Sequence, residues 1–240
     1  MVKKTDGTWR MCVDYHRINK ATKFDWVPLP PLDEALDVFA GVTVLSSLDL
    51  AMAYYQVPVI SSDVEKTAVI THVKLIEMVT MPFGLCNVPS TYQGLMSIVL
   101  RGLISRICLA YLDDVIVFFR RLTQHHDDLR AVFTRILGTG AKHKPSKCQL
   151  VRDEVRSLGH IIDASGVFPD LAKLRVLSTW PVHATVHEVQ SFLGFVNLYV
   201  DYIAGSTRLT ACLYALTAGR KNTEKIVLDP EKLVAFNSLK

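Results

Sequence analysis

Two adjacent carboxylates stand at the centre of this chain, in Tyr111-Leu112-Asp113-Asp114. Ile107-Cys108-Leu109-Ala110-Tyr111 runs into the pair and Val115-Ile116-Val117-Phe118-Phe119 runs out of it. Both runs have the length and the β-branched or aromatic content of buried strands, and the short step between them reads as a hairpin. Carboxylates held together at a hairpin tip repel one another unless a cation neutralises them, and hard divalent ions such as Mg²⁺ are the usual partners. The simpler alternative is a polar turn, a role that Asp fills well. A third carboxylate weighs against it. Val44-Leu45-Ser46-Ser47-Leu48-Asp49-Leu50 reads as another strand, with Asp49 near its end and Tyr54-Tyr55-Gln56 just beyond. A third carboxylate from a separate strand is what a two-metal site needs, in which one ion activates a sugar hydroxyl and the other holds a triphosphate.

Other elements must hold these strands in place. At the N-terminus, Asp6-Gly7 predicts a hairpin turn and hence a β-ribbon with basic ends. Pro28-Leu29-Pro30-Pro31 is extended, and Asp33 to Phe39 fits a short helix with Leu32, Leu36 and Phe39 at helical spacing. Ser90 can cap a helix running to about Leu103, with Tyr92, Leu95, Met96, Val99 and Leu103 on one face. Gln93 falls on its other side, where a solvated polar residue is the plain alternative to any functional role. A second amphipathic helix over 124–137 places Leu129, Val132, Phe133, Ile136 and Leu137 on one stripe, ended by Gly138 and Gly140. Trp180-Pro181 marks a boundary, after which Thr185-Val186-His187-Glu188 has the form of a capping box. Val189, Phe192, Leu193, Val196 and Val200 follow as the core face of its helix.

Half of the 240 residues are hydrophobic, enough for a sizeable core in one or two domains. The formal charge of +4 is small, but it is unevenly spread. Residues 1–23 hold Lys3, Lys4, Arg10, Arg17, Lys20 and Lys23 against Asp6 and Asp14. Residues 30–77 are acidic, and 142–175 turn basic again. Basic edges around an acidic centre suit a protein that grips a phosphate backbone while holding metals between. The five cysteines are scattered without Cys-x-x-Cys spacing, which fits a reducing compartment and argues against a zinc site or a disulfide framework. No run of about 18 apolar residues exists to span a bilayer, so the expectation is an intracellular protein without a membrane partner. His125-His126 is the tempting histidine pair, but neighbours on a helix point about 100° apart, so both read as surface or boundary residues.

Several motifs occur in one order: Leu48-Asp49-Leu50, Ala53-Tyr54-Tyr55-Gln56, Lys66-Thr67-Ala68, Met81-Pro82-Phe83-Gly84-Leu85-Cys86-Asn87-Val88-Pro89 with Tyr92-Gln93, and Tyr111-Leu112-Asp113-Asp114. Lys147-Cys148 and Leu158-Gly159-His160 continue it. In this order the chain resembles a reverse transcriptase, in particular the polymerase of gypsy-type LTR retrotransposons. The resemblance implies an α+β right-hand polymerase, with an antiparallel palm sheet backed by helices. Residues 1–164 would be fingers (1–23 and 57–96) and palm (24–56 and 97–164), and 165–240 the thumb and the start of a connection.

By the same resemblance Asp49, Asp113 and Asp114 are the catalytic metal ligands of two Mg²⁺ ions, with Mn²⁺ as a substitute. Lys3 and Arg10 contact the triphosphate, Tyr54 checks the sugar, and Gln93 and Tyr111 belong to the substrate pocket. Leu158, Gly159 and His160 hold the primer end, and Gly194 and Asn197 lie along the duplex. The partners implied are an RNA or DNA template with its primer, dNTPs, and a larger polyprotein carrying protease, ribonuclease H and integrase. The compartments implied are the cytoplasm, a virus-like particle or the nucleus. The family pattern also leads one to expect a further fingers segment before Lys3 and a ribonuclease H domain after the connection. His16, Lys74, Ile76, Met78, Leu198, Val200 and Asp201 depart from it. Those departures sustain a second reading, a truncated and inactive remnant that still binds nucleic acid. A viral RNA-dependent RNA polymerase would usually carry Gly, not Leu112, before the paired Asp.

Overall fold

The apolar runs flanking the paired carboxylates form the middle of an antiparallel sheet. A computed structural model describes residues 2–3, 7, 9–25, 37–39, 41–119, 122–182 and 185–240, with only the backbone of Lys3, Arg10, Asp37, Leu122 and Thr123. Its strands are β1 Val2–Lys3, β2 Trp9–Arg10, β3 Val44–Asp49, β4 Val69–Ile70, β5 Leu75–Ile76, β6 Cys108–Tyr111, β7 Asp114–Phe119, β8 Gln149–Arg152, β9 Glu154–Ser157, β10 His160–Asp163 and β11 Gly166–Pro169. The helices are α1 His16–Ala21, α2 Val88–Val99, α3 Leu122–Leu137, α4 Leu171–Ser178, α5 Val186–Asn197, α6 Ser206–Tyr214 and α7 Pro230–Ser238. The chain divides into two units, 1–158 with 162–167 and 159–161 with 168–240.

In the first unit the sheet order is β6-β7-β3-β8. Both faces are covered, which is why β7 reads as an unbroken apolar run rather than an alternating one. Leu48, Cys108, Ala110, Val115 and Val117 pack with Tyr92, Met96 and Leu100 of the α2 region and Leu129, Val132 and Ile136 of α3. Leu45, Leu109, Ile116 and Phe118 face the other way, onto Phe39, Val42, Val155 and Ile162. The smaller pairs β1–β2 and β4–β5 are antiparallel. The expected N-terminal ribbon is therefore present, with Gly7 at positive φ, while Asp6 lies outside the described residues. So do Pro28-Leu29-Pro30-Pro31 and most of the expected helix over 33–39, of which Asp37–Phe39 forms a 3-10 turn.

Several expectations need correction. The helix expected from Ser90 begins at Val88 because Pro89 suits a first turn, where its missing N–H costs nothing. Ser90 lies inside it and its hydroxyl donates to the carbonyl of Asn87. Leu137, placed on the core stripe of α3, is 59 % exposed because the helix ends there. His125, read with His126 as surface or boundary, is fully buried: its Nε2 lies 2.7 Å from Ser46 Oγ of β3, and burial lowers its pKa.

The second unit is mainly helical. Thr185 accepts from the Glu188 N–H and donates its own N–H to Glu188 Oε2, the reciprocal capping box expected at the start of α5. Val186, Val189, Phe192, Leu193 and Val196 are buried along α5, against Leu213, Leu216, Phe236 and Leu239.

Candidate active site

The three carboxylates gather at one end of the four-stranded sheet. Asp49 ends β3 and Asp114 begins β7, and the antiparallel register sets them directly opposite. Residues paired in this way share a face, with Cβ atoms roughly 5 Å apart, and like charges so placed repel. Asp113 sits exposed on the two-residue turn between β6 and β7. Leu112 has φ of +53° and Asp113 does not have a positive φ, the pattern of a hairpin turn whose first central residue is left-handed. Asp114 is half-buried and accepts a hydrogen bond from Ser157 Oγ at 3.0 Å. Burial raises the pKa of its carboxyl and the bond from Ser157 opposes that rise, while the charges of Asp113 and Asp49 raise it further. Lys147 Nζ lies 3.1 Å from Asp49 Oδ2.

No three His, Cys, Asp or Glu side chains among the described residues already stand together as a metal-binding group. The donor chemistry nevertheless suits a hard divalent ion. Three carboxylates are close enough for the charges of two to act on the third, and the cation now against Asp49 is a half-exposed lysine free to swing into water. Asp49 itself is held by its backbone. Its carbonyl accepts from the Lys144 N–H at 2.9 Å, and its own N–H points at Cys148 Sγ. Gln56 fastens the same loop: its Nε2 donates to the carbonyls of Ala51 and Lys142, and its Oε1 accepts from the Lys142 N–H at 2.6 Å. The sequence motifs contained Gln56 and Lys147 without indicating either contact.

Beside the carboxylates lies an aromatic group. The Tyr54 ring is 5.0 Å from that of Phe83 and 5.4 Å from that of Tyr92. Burial raises the Tyr54 pKa, and the charge of Asp113 adds to it. Tyr55 also meets Phe83, with ring centroids 5.5 Å apart. Gly84, next to Phe83, has φ of +103°, and a Cβ there would come within 3.0 Å of the Val13 carbonyl oxygen. Only glycine fits that combination.

Gln93 is the largest surprise. Expected on the open side of its helix, it is 3 % exposed. Its Nε2 donates to the Ala110 carbonyl at 3.0 Å and its Oε1 accepts from the Leu112 N–H at 2.8 Å. Its amide thus grips the carboxylate hairpin itself. Tyr111, between those two contacts, is half-buried at the end of β6.

The remaining expected residues lie elsewhere. Lys3 and Arg10 sit on paired strands of the N-terminal ribbon. Leu158 packs with the Phe39 cluster of the first unit. In the second unit the Gly159 carbonyl accepts from Tyr199 Oη and the Asp170 N–H, and the His160 ring stacks near Tyr199 and Tyr202. Gly194 and Asn197 lie exposed one turn apart on α5, and nothing stands within 4 Å of where a Gly194 Cβ would be.

The sequence profile of reverse transcriptases (RNA-dependent DNA polymerases) matches residues 2–162. The chain belongs to the reverse transcriptase family. It is 32 % identical to the retrovirus-related Pol polyprotein from transposon 297 of Drosophila melanogaster, over 99 % of this chain and 23 % of that polyprotein. It is 26 % identical to the Pol polyprotein from transposon gypsy of the same fly, over 95 % of this chain and 22 % of the other. The chain therefore spans about a quarter of the length of these relatives. Its fold matches that of a foamy viral protease-reverse transcriptase solved in complex with double-stranded DNA, with a TM-score of 0.83 and 22 % identity. That match covers 99 % of this chain and 42 % of the viral one. The α+β fold is thus that of a reverse transcriptase, and no helix among the described residues is long and apolar enough to cross a membrane.

Proposed function

We propose that the chain is the polymerase segment of a gypsy-type retrotransposon polyprotein, adding deoxynucleotides to a primer 3′ end on an RNA template. The observation that carries this reading is the register that sets Asp49 against Asp114, with Asp113 one residue away on the turn. These three carboxylates would hold two Mg²⁺ ions, or Mn²⁺ in their place. Bound there, the ions would make the primer hydroxyl more acidic and neutralise the triphosphate. The protein's own contribution is to position and select. Lys147 would give up Asp49 to a bound ion, Lys3 and Arg10 of the ribbon would contact the triphosphate, and Tyr54 with Tyr111 would belong to the sugar pocket. Leu158, Gly159 and His160 support the primer end, and Gly194 with Asn197 presents an open helix face to the duplex minor groove.

Residues 1–23 and 57–96 then act as fingers, 24–56 and 97–164 as palm, and 165–240 as thumb and connection start. The template–primer and dNTPs are its partners, with protease, ribonuclease H and integrase elsewhere in the polyprotein. It works in the cytoplasm, a virus-like particle or the nucleus. Primer extension on an RNA template tests the reading. The 240-residue chain should extend with Mg²⁺, and Asp113→Asn should abolish extension while leaving salt-sensitive duplex binding largely intact. An unextended primer with the natural chain would leave the inert remnant as the correct account. Undiminished extension by Asp113→Asn would remove the carboxylate from the chemistry.

A further inference from the structure

We propose that Gln93 is a positioning residue, whose side-chain amide stands in for a missing neighbouring strand and fixes the backbone that carries Asp113 and Asp114. This inference rests on the reading of those carboxylates as the working groups. β6 is the edge of the four-stranded sheet, with β7 on one side and, among the described residues, no strand on the other. Tyr111 pairs with Asp114 across the hairpin. Backbone groups alternate in direction along a strand, so the N–H and C=O of the residues on either side of Tyr111 point away from β7. A parallel neighbouring strand would satisfy an outward carbonyl and the outward N–H two residues on with the N–H and C=O of a single residue.

Gln93 does this with one primary amide, donating to the Ala110 carbonyl and accepting from the Leu112 N–H. The same device recurs around the site. Asn19 donates to the Gly84 carbonyl and accepts from the Cys86 N–H. Asn87 donates to the Lys23 carbonyl and accepts from the Asp25 N–H. Gln93 is set apart by its burial and by what it holds. Leu112 is left-handed, a conformation disfavoured for a side chain of this kind, and persists only where its surroundings dictate it. A side chain buried to this degree does not face an open nucleotide pocket. Its effect reaches the chemistry through the hairpin.

Amide hydrogen exchange and Mn²⁺ binding test this without relying on turnover. In the natural chain the Leu112 amide should be protected relative to that of Asp113. Gln93→Met keeps the apolar volume and removes both bonds. It should lower Leu112 protection by at least about tenfold and weaken Mn²⁺ binding, with Val115 and Ile116 still protected. Ser97→Ala, on the same helix, should change neither. Weakened dNTP binding with normal Leu112 exchange and Mn²⁺ affinity would make Gln93 a nucleotide contact and overturn the proposal. If Gln93→Met does not fold, the natural chain decides: a Leu112 amide exchanging as fast as that of Asp113 means no clamp. A clamp confirmed by exchange in a chain that binds no Mn²⁺ would leave the proposal standing and count against the polymerase reading.

Discussion

Two tight turns in this protein begin with the same residue type at nearly the same positive φ. In Leu112-Asp113 the leucine has φ of +53°, and in Leu158-Gly159 it has φ of +54°. They differ at the second position. Gly159 is also left-handed, at +85°, and a Cβ there would meet Tyr199 Oη at 2.9 Å, so the turn needs glycine for its dihedral and for its neighbour. Asp113 carries a charge at that position and leaves the tip exposed. One turn is shaped by close packing, and the other is gripped from behind by Gln93 so that its tip can stay free. A hydrogen bond runs between them, from Ser157 just before the second turn to Asp114 just after the first.

The contrast predicts that matching substitutions act on different properties. Asp113→Gly copies the Leu-Gly pair of the other turn into the first. It should leave the unfolding free energy within about 1 kcal/mol of the natural chain and lower Mg²⁺-dependent extension roughly a thousandfold. A large loss of stability in urea denaturation would show that Asp113 shapes its turn. Gly159→Ala, in the other direction, should cost about 2 kcal/mol in the same assay, since it adds an unfavourable φ to a close approach. No measurable change would mean that Tyr199 moves aside freely.

Tyr54→Val should raise ribonucleotide over deoxyribonucleotide incorporation by at least about tenfold, or roughly 1.4 kcal/mol of lost discrimination. Tyr55→Val should not, because Tyr54 is the one whose hydroxyl feels the charge of Asp113. Single-nucleotide extension with matched dNTP and rNTP separates the two, and equal selectivity in all three chains would refute the sugar gate.

The smallest effect belongs to the link between the turns. Ser157→Ala removes the one hydrogen bond that lowers the Asp114 pKa, so this carboxyl, already raised above its ordinary value of 3.8, should titrate higher still in the metal-free chain. A group with a raised folded pKa adds stability below its unfolded pKa, and that contribution is lost as pH rises through the folded value. The window of loss should therefore extend upward from 3.8 and reach further in Ser157→Ala than in the natural chain. Carboxyl NMR across that range measures it, and an unshifted titration would show that the bond does not reach the charge.

Much of this could be read along the chain because it depends on neighbours. Strand-forming runs around Asp113-Asp114, the strand ending in Asp49 and the Thr185–Glu188 capping box are local patterns with local causes. Family membership was also legible, since it resides in the order of motifs. The sequence could not say that Asp49 would face Asp114, because a slip of one residue in register would turn the carboxylate to the other face. Nor could it place Lys147 against Asp49, His125 against Ser46, or Gln93 behind the hairpin, contacts that span 98, 79 and up to 19 residues. A helical polar residue looks the same on paper whether it meets water or a strand edge. Only the packing of α2 along β6 determined that the Gln93 amide would find backbone groups left over by a sheet that ends there.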